Sequence, residues 1–385
     1  MNAAPRFAIL FATQFFAFGV ILPFLPAVLT ERGLSAAEVG AVLAIGSAVR
    51  LVAGPLGGRL ADALRDPRHV LAAAALAAAL AGCGFLLEAG FLTMALVVAL
   101  HSAAMAPVVP LTDALAVNAA RGRPGFDYAR ARAAGSIAFI LAALGGGQAV
   151  AAAGVDSVIW MMVAGLGATA LAGLALPPPS GVRRAPGRGL SAFAAPLRLP
   201  AFRWLMVVSA LMQGSHAMYY AFGTLHWQAA GLGAGLIGAL WATGVVAEVA
   251  LFLWGKGFVA RLGPVGLSIA AGLCGVLRWS ITAMTVDPWL LFPAQVLHAG
   301  TFAMQHLATM LVLGRVVPPG LAGTAQSLHA ALGVGLWMGL FTLACGPAYA
   351  AAGGAGFWGM AVLCGLAVPA ALALGRALRR VKPAA

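Results

Sequence analysis

The stretch from Leu236 to Gly257 reads LIGALWATGVVAEVALFLWGKG, an apolar run with one carboxylate, Glu248, near its middle. About twenty such residues are what a helix needs to cross a bilayer, and this requirement limits the fold more than any other feature of the chain. A charge at the centre of such a helix costs roughly 3 kcal/mol on insertion scales, so Glu248 should be paired or used. The other half of the chain holds a counterpart. GAVLAIGSAVR from Gly40 and GALWATGVVAE from Gly238 align at a constant offset of 198, which sets Gly40, Ala41, Ala44 and Gly46 on Gly238, Ala239, Ala242 and Gly244. Arg50 then falls on Glu248, and Gly57 on Gly255. Matching small residues and opposite charges at one place imply a duplicated membrane unit.

The chain is 62% hydrophobic and only 9% charged, against about half and a quarter in soluble domains, so it is an integral membrane protein. Apolar runs of about twenty residues indicate helices rather than barrel strands, because a helix satisfies its own backbone in lipid. Fifty glycines suit helices packed closely enough for their backbones to approach. The net charge of +13 does not point to nucleic acid, because its placement is one-sided. Arg121, Arg123, Arg130 and Arg132 fall in one loop, Arg183, Arg184, Arg188 and Arg198 in another, and Arg376, Arg379, Arg380 and Lys382 in the tail. Alternate loops carry Glu31, Glu88, Asp156 and Asp287 with almost no base. This positive-inside asymmetry places both termini in the cytoplasm of a multi-pass protein of the cell (inner) membrane. Cys83, Cys274, Cys345 and Cys364 lie in apolar runs without metal-type spacing and read as buried packing residues. The first helix begins near Arg6, lacks a small-residue cleavage site and reads as retained.

The hydrophobic pattern predicts twelve spanning helices, at about 7–29, 38–61, 70–88, 91–117, 133–152, 157–176, 203–226, 236–257, 264–285, 288–313, 323–346 and 356–375. The Pro-, Gly- and Arg-rich segment 177–201 divides them into domains 1–176 and 202–385. It reads as a cytoplasmic linker whose second part, with Phe193, Leu197 and Phe202 among basic residues, lies on the membrane surface. Counted from the outer face, His101, His216 and His298 lie about ten residues in, Arg50 and Glu248 about twelve and Arg278 about eight, which puts all six within roughly 6 Å along the membrane normal. Such a layer should face inward, onto itself or a wet cavity, and transporters built from repeats hold their sites near that plane.

Several passages make the chain resemble the major facilitator superfamily, in particular its phenylpropionate/proton symporter branch, relatives of the lactose-permease type. They are PLTDALA with FDYARARAAGSIAFI, then HAMYYAFGTL, GLIGALWATGVVAEV, LRWS and QVLHAGTFAMQHLATM, and they span nearly the whole chain. The resemblance implies an all-α fold of two pseudo-symmetric six-helix bundles around a central cavity, with alternating access. It lines that cavity mainly with helices 1, 4, 7 and 10, which places Gln14, His101, Gln213, His216, Tyr219 or Tyr220, Gln295 and His298 near the substrate pathway. Gln305 follows on the same face of helix 10, and Arg50 on helix 2 is weighed as either structural or a partner of substrate charge. The lactose-permease pattern pairs a carboxylate on helix 8 with an arginine on helix 9 and a histidine on helix 10, and Glu248, Arg278 and His298 occupy those helices. Thr301 stands where that pattern has a further carboxylate. In the loop 2–3 motif Gly58 and Asp62 fit, but Ala63 replaces an arginine, and the antiporter-type glycine–proline signature of helix 5 is absent.

Glu248 is either a structural partner of Arg278 or a carboxylate that binds and releases a proton. Desolvation favours its neutral form and a nearby arginine its ionised form, and a site balanced between the two can drive symport. Arg278 is either its counter-ion or the bidentate partner of a substrate carboxylate. Asp62 and Asp113, with Arg130 and Arg132, read as a cytoplasmic gate or latch. No residue set offers catalysis, a metal site or a cofactor site; the proton is the expected coupling ion. The expected function is proton-coupled uptake of an aromatic or other monocarboxylic acid by a monomer in the bilayer. A sugar or nucleoside symporter, an efflux antiporter and a non-transporting scaffold are the alternatives.

Overall fold

The computed structural model describes residues 3–63, 66–122, 127–177, 194–318 and 321–380. Most of the linker expected at 177–201, and the side chain of Asp62, lie outside the described residues. The chain is helical wherever it crosses the apolar runs, and no strand occurs among the described residues. In chain order the helices are α1 (Ala3–Glu31), α2 (Ala36–Ala63), α3 (Pro67–Gly82), α4 (Phe91–Met105), α5 (Val108–Gly122), α6 (Tyr128–Ala153), α7 (Asp156–Leu174) and α8 (Pro200–Gly214). There follow α9 (Ala217–Ala229), α10 (Ala234–Trp254), α11 (Lys256–Met284), α12 (Pro288–Val296), α13 (Gln305–Val316), α14 (Ala322–Leu328), α15 (Leu336–Ala352) and α16 (Phe357–Arg379). Wider π turns occupy Ala299–Met304 and His329–Gly335.

Ten runs among the described residues are long and apolar enough to cross a membrane. One of them, Gly323–Arg379, has 57 residues, more than twice what a bilayer takes, and its helix breaks at Gly353, whose φ of 53° suits glycine. Pro200–Ala229 is not among the ten because Gln213, His216, Tyr219 and Tyr220 make it less apolar, and two turn residues, Ser215 and His216, separate its halves α8 and α9. With that pass restored and the long run divided, the described chain makes the twelve passes that the hydropathy pattern predicts.

Half of the ten acidic residues serve as helix starts. Ser35 and Glu38 form a capping box at α2, with Ser35 N–H donating to Glu38 Oε2 at 2.9 Å. Asp66, Asp127 and Asp287 are the N-caps of α3, α6 and α12. Asp156 opens α7 and pairs with Arg32. Of the other five, Glu31, Asp62 and Glu88 fall at or beyond the ends of spans, and Asp113 and Glu248 lie within them.

The fold divides into two compact units. Unit 1 is Met1–Ala185 with Trp227–Ala242, and unit 2 is Pro186–His226 with Thr243–Ala385. Within unit 1, α1 lies along α6 and α7, α3 packs on α4 and α7, and α2 packs on α4. Within unit 2, α11 lies along α16 and α13, and α8 along α16. Leu197 and Phe202 correct the reading of the linker's second part as a membrane-surface strip. Phe202 is fully buried with Leu205, Val312, Leu328 and Leu374, and Leu197 packs onto that cluster. The alternation of apolar and basic residues there reflects a chain entering its own core.

The internal repeat appears in the packing of each unit taken separately. In unit 1 a Cβ at Gly46 of α2 would fall 2.7 Å from Ser102 Oγ and 2.8 Å from Val98 Cγ1 on α4. In unit 2 a Cβ at the matching Gly244 of α10 would fall 3.3 Å from Cβ of His298, just past α12. A missing side chain thus brings corresponding helices together in both units, and one turn later Arg50 and Glu248 reach toward Ser102 and His298.

Candidate functional site

In unit 2 a fully buried arginine, Arg278, is held by neutral groups. Its Nη1 donates to Thr301 Oγ1 at 3.0 Å and lies 2.9 Å from His298 Nδ1, and its Nη2 donates to Gln295 Oε1 at 2.9 Å. The guanidinium also lies over the rings of Tyr219 and Trp279, 4.8 and 4.3 Å from their centroids. Gln295, His298 and Thr301 come from one chain segment at three-residue steps, so one helical face presents all three to α11. The π turn at Ala299–Met304 carries that face past Thr301, and such turns inside helices occur often at functional positions.

Glu248 of α10 completes the set through His298. Its Oε2 lies 3.7 Å from His298 Nε2, beyond hydrogen-bond range but within reach of an ion pair. Because His298 Nδ1 meets Arg278, the imidazole stands between the carboxylate and the guanidinium. About 20% of the Glu248 side chain is uncovered by protein, whereas Arg278 has no exposure at all. The carboxylate is therefore the accessible end of this chain of groups and the arginine its buried end.

The other end of the network passes through Thr301 to His216. His216 Nε2 is 3.1 Å from Thr301 Oγ1 and its Nδ1 is 3.0 Å from the Met212 carbonyl. This histidine sits at the break between α8 and α9. Its backbone N–H reaches Gln213 three residues back, and the Met212 carbonyl accepts from the Ser215 hydroxyl at 2.7 Å as well as from His216 Nδ1. Trp279 Nε1 donates to Ser215 Oγ at 3.2 Å, so α11 is tied to the break itself. Interrupted helices with side-chain-satisfied carbonyls are a recurrent way of building sites at membrane depth.

Of the remaining expected residues in unit 2, Gln213 is nearly buried one turn before the break. Tyr220 stacks on His216, with ring centroids 5.7 Å apart, and Tyr219 is the tyrosine beneath Arg278. Gln305 is fully buried; its Nε2 lies 3.5 Å from Ser209 Oγ and 3.4 Å from Thr309 Oγ1. Gln295 Nε2 and Gln305 Oε1 have no hydrogen-bond partner among the described residues.

Unit 1 places its expected residues in smaller groups. Gln14 Oε1 accepts from Thr112 at 2.7 Å, leaving a buried amide nitrogen unpartnered among the described residues. Arg50 is exposed, with Nη1 3.5 Å from Ser102 Oγ. His101 turns to α3, where its Nδ1 meets the Ala78 carbonyl at 2.9 Å and its ring packs on Phe85. Asp113 accepts from the Tyr128 hydroxyl at 3.0 Å. Arg132 lies 3.9 Å over the Phe15 ring, whereas Arg130 points outward and pairs with Asp127 at 3.3 Å. Thr301, Ser215 and Trp279 are the members of the unit 2 network that sequence reasoning passed over as contacts. Thr301 carried a signal, because it occupies the place of a carboxylate in the lactose-permease pattern.

Comparison with known proteins agrees with this architecture. The profile described as "MFS_1 like family" matches residues 6–360. The chain is 32% identical to the "Probable 3-phenylpropionic acid transporter" of Escherichia coli (strain K12), over 91% of this chain and 92% of that one. It is 29% identical to the "Maltose permease" of Geobacillus stearothermophilus, over 88% and 86% of the two chains. Among solved structures it superposes on the nucleoside transporter NupG with a TM-score of 0.78 at 19% identity, covering 99% of this chain and 100% of that one.

Proposed function

The chain belongs to the MFS_1 like family and is a transporter of the major facilitator type rather than an enzyme, and from that premise we propose that it is a proton-coupled symporter for an aromatic or other monocarboxylic acid, working by alternating access. The observation that carries this reading is the graded set in unit 2: an accessible carboxylate, a histidine and a fully buried arginine in contact order. Glu248 takes the coupling proton. Arg278, which is hydrogen-bonded to His298, Thr301 and Gln295, supplies positive charge suited to a substrate carboxylate once the unit rearranges. The name of the Escherichia coli relative supports the choice of acid. The protein sits in the inner membrane with both termini in the cytoplasm, as the loop charges favour.

The test uses purified protein in liposomes with 3-phenylpropionate and an internal pH indicator. Addition of the acid should drive proton uptake, and Glu248→Gln should abolish that uptake while leaving substrate exchange. Coupling that survives intact in the variant removes Glu248 from the mechanism. The maltose permease relative, together with the unpartnered amide atoms of Gln295 and Gln305, favours a second reading in which the solute is a neutral sugar. Thermal stabilisation by maltose but not by 3-phenylpropionate would select it.

A further inference from the structure

The hydrogen-bond geometry around Arg278 fixes where the ring protons of His298 and His216 sit. A guanidinium has donors only, so the ring nitrogen 2.9 Å from Arg278 Nη1 must offer a lone pair. That nitrogen is Nδ1 of His298, and the ring proton is therefore on Nε2, the atom that faces Glu248 across 3.7 Å. At the far end a backbone carbonyl has lone pairs only, so His216 Nδ1, 3.0 Å from Met212 O, carries its proton there. His216 Nε2 then offers a lone pair to the Thr301 hydroxyl, whose one proton has the His298 carbonyl at 3.3 Å as its other acceptor and whose oxygen accepts from Arg278. All donors run outward from the arginine, and His298 can gain a second proton only by giving up its contact with Arg278.

We propose that His298 is a positioning residue locked as the Nε2–H tautomer, which carries no transported proton and instead ties the charge of Glu248 to the hold on Arg278. This rests on the symport reading above and assigns a role within it. With Glu248 ionised, the Nε2–H points at a negative charge, which polarises the ring and strengthens Nδ1 as an acceptor, keeping Arg278 engaged. When Glu248 is protonated that support is withdrawn, and Arg278 becomes a better partner for an anion. Proton and anion then favour each other's binding, which is the coupling that symport requires. The other ionisable groups around His298 are Arg278 on α11, His216 with its ring centroid 5.5 Å away, and Tyr219 and Tyr220, whose rings meet Arg278 and His216.

Two variants separate a relay from a proton carrier. Glutamine in place of His298 offers one acceptor and one donor about as far apart as the two ring nitrogens, and it cannot titrate. In 3-phenylpropionate binding measured from pH 5.5 to 8.5, His298→Gln should keep the wild-type pH dependence, with proton uptake per substrate unchanged. His298→Leu, which offers Arg278 no acceptor at any pH, should lose that dependence and bind about ten-fold more tightly than the wild type at high pH, the factor for 1.4 kcal/mol. A pH dependence that vanishes in His298→Gln but persists in Glu248→Gln would overturn the proposal. Nitrogen-15 spectra of histidine-labelled protein, with the His298 signal assigned by its absence in His298→Gln, supply a readout independent of transport. A neutral Nε2–H ring at pH 7 is expected, and an Nδ1–H ring or an imidazolium would overturn the inference. If the wild type moves no protons with any acid, the symport reading fails, and the spectra still decide the tautomer.

Discussion

Replacing Thr301 with valine removes one hydroxyl at nearly constant volume and tests whether Arg278 is held by neutral partners as described. The hydroxyl accepts from Arg278 Nη1 at 3.0 Å and meets His216 Nε2 at 3.1 Å, and both partners are fully buried. Hydrogen bonds between membrane helices average only about 0.6 kcal/mol and reach about 1.7. Bonds to ionised groups are worth about 1.5–3 kcal/mol, because an abandoned charge has no water to turn to. The second assignment fits a guanidinium with no exposure, so Thr301→Val should lower stability by about 2–3 kcal/mol, and Thr301→Ser by much less. The assay is reversible unfolding by SDS in bicelles, read from tryptophan fluorescence. In a double-mutant cycle, combining Thr301→Val with Arg278→Met should recover at least about 1 kcal/mol of the summed losses, because the variant no longer strands a charge. A loss below about 0.5 kcal/mol for Thr301→Val, or strict additivity in the cycle, would refute the reasoning.

Gly46→Ala should destabilise by about 1–3 kcal/mol, since its methyl would sit under 3 Å from Ser102 and Val98, whereas Gly244→Ala, at 3.3 Å from its nearest neighbour, should cost less; the same SDS titration ranks the two. Tyr128→Phe should cost about 1 kcal/mol through the lost bond to Asp113, and Arg130→Ala should change stability by less than about 0.5 kcal/mol because its pair with Asp127 is exposed. The hydrogen bond from Arg68 holds the Asp66 carboxyl below its ordinary value, so its contribution is complete above that ordinary value and disappears as pH falls through the depressed one. Unfolding midpoints measured across the acid range should therefore fall less steeply in Asp66→Asn than in the wild type.

Much of the membrane architecture could be read in advance because lipid leaves few options. Long apolar runs had to be helices, and the offset of 198 brought Gly46 and Gly244 into corresponding contacts. Membership of one ionisable layer was also accessible for Glu248, Arg278 and His298, since rise per residue gives depth directly. Direction around a helix axis was harder to obtain. His101 shares the expected depth, yet it turns to the Ala78 carbonyl, and residue counting carries no information about that choice. Irregular backbone was equally hidden. The break at Ser215–His216 contains no proline, and the π turn after His298 leaves the composition unchanged, but together they put Thr301 and His216 within one hydrogen bond of each other. Leu197 and Phe202 looked like a surface strip because the alternation of apolar and basic residues is the same for a chain lying on lipid and one diving into a core.

The joint between α8 and α9 has a further consequence. A proline would interrupt the helix with a permanent ring, whereas here two ordinary side chains, Ser215 and His216, close over one carbonyl. The stiffness of that joint is therefore adjustable one residue at a time, and the crossing itself need not be rebuilt. Related carriers could grow softer or firmer at this bend while keeping the same path through the bilayer.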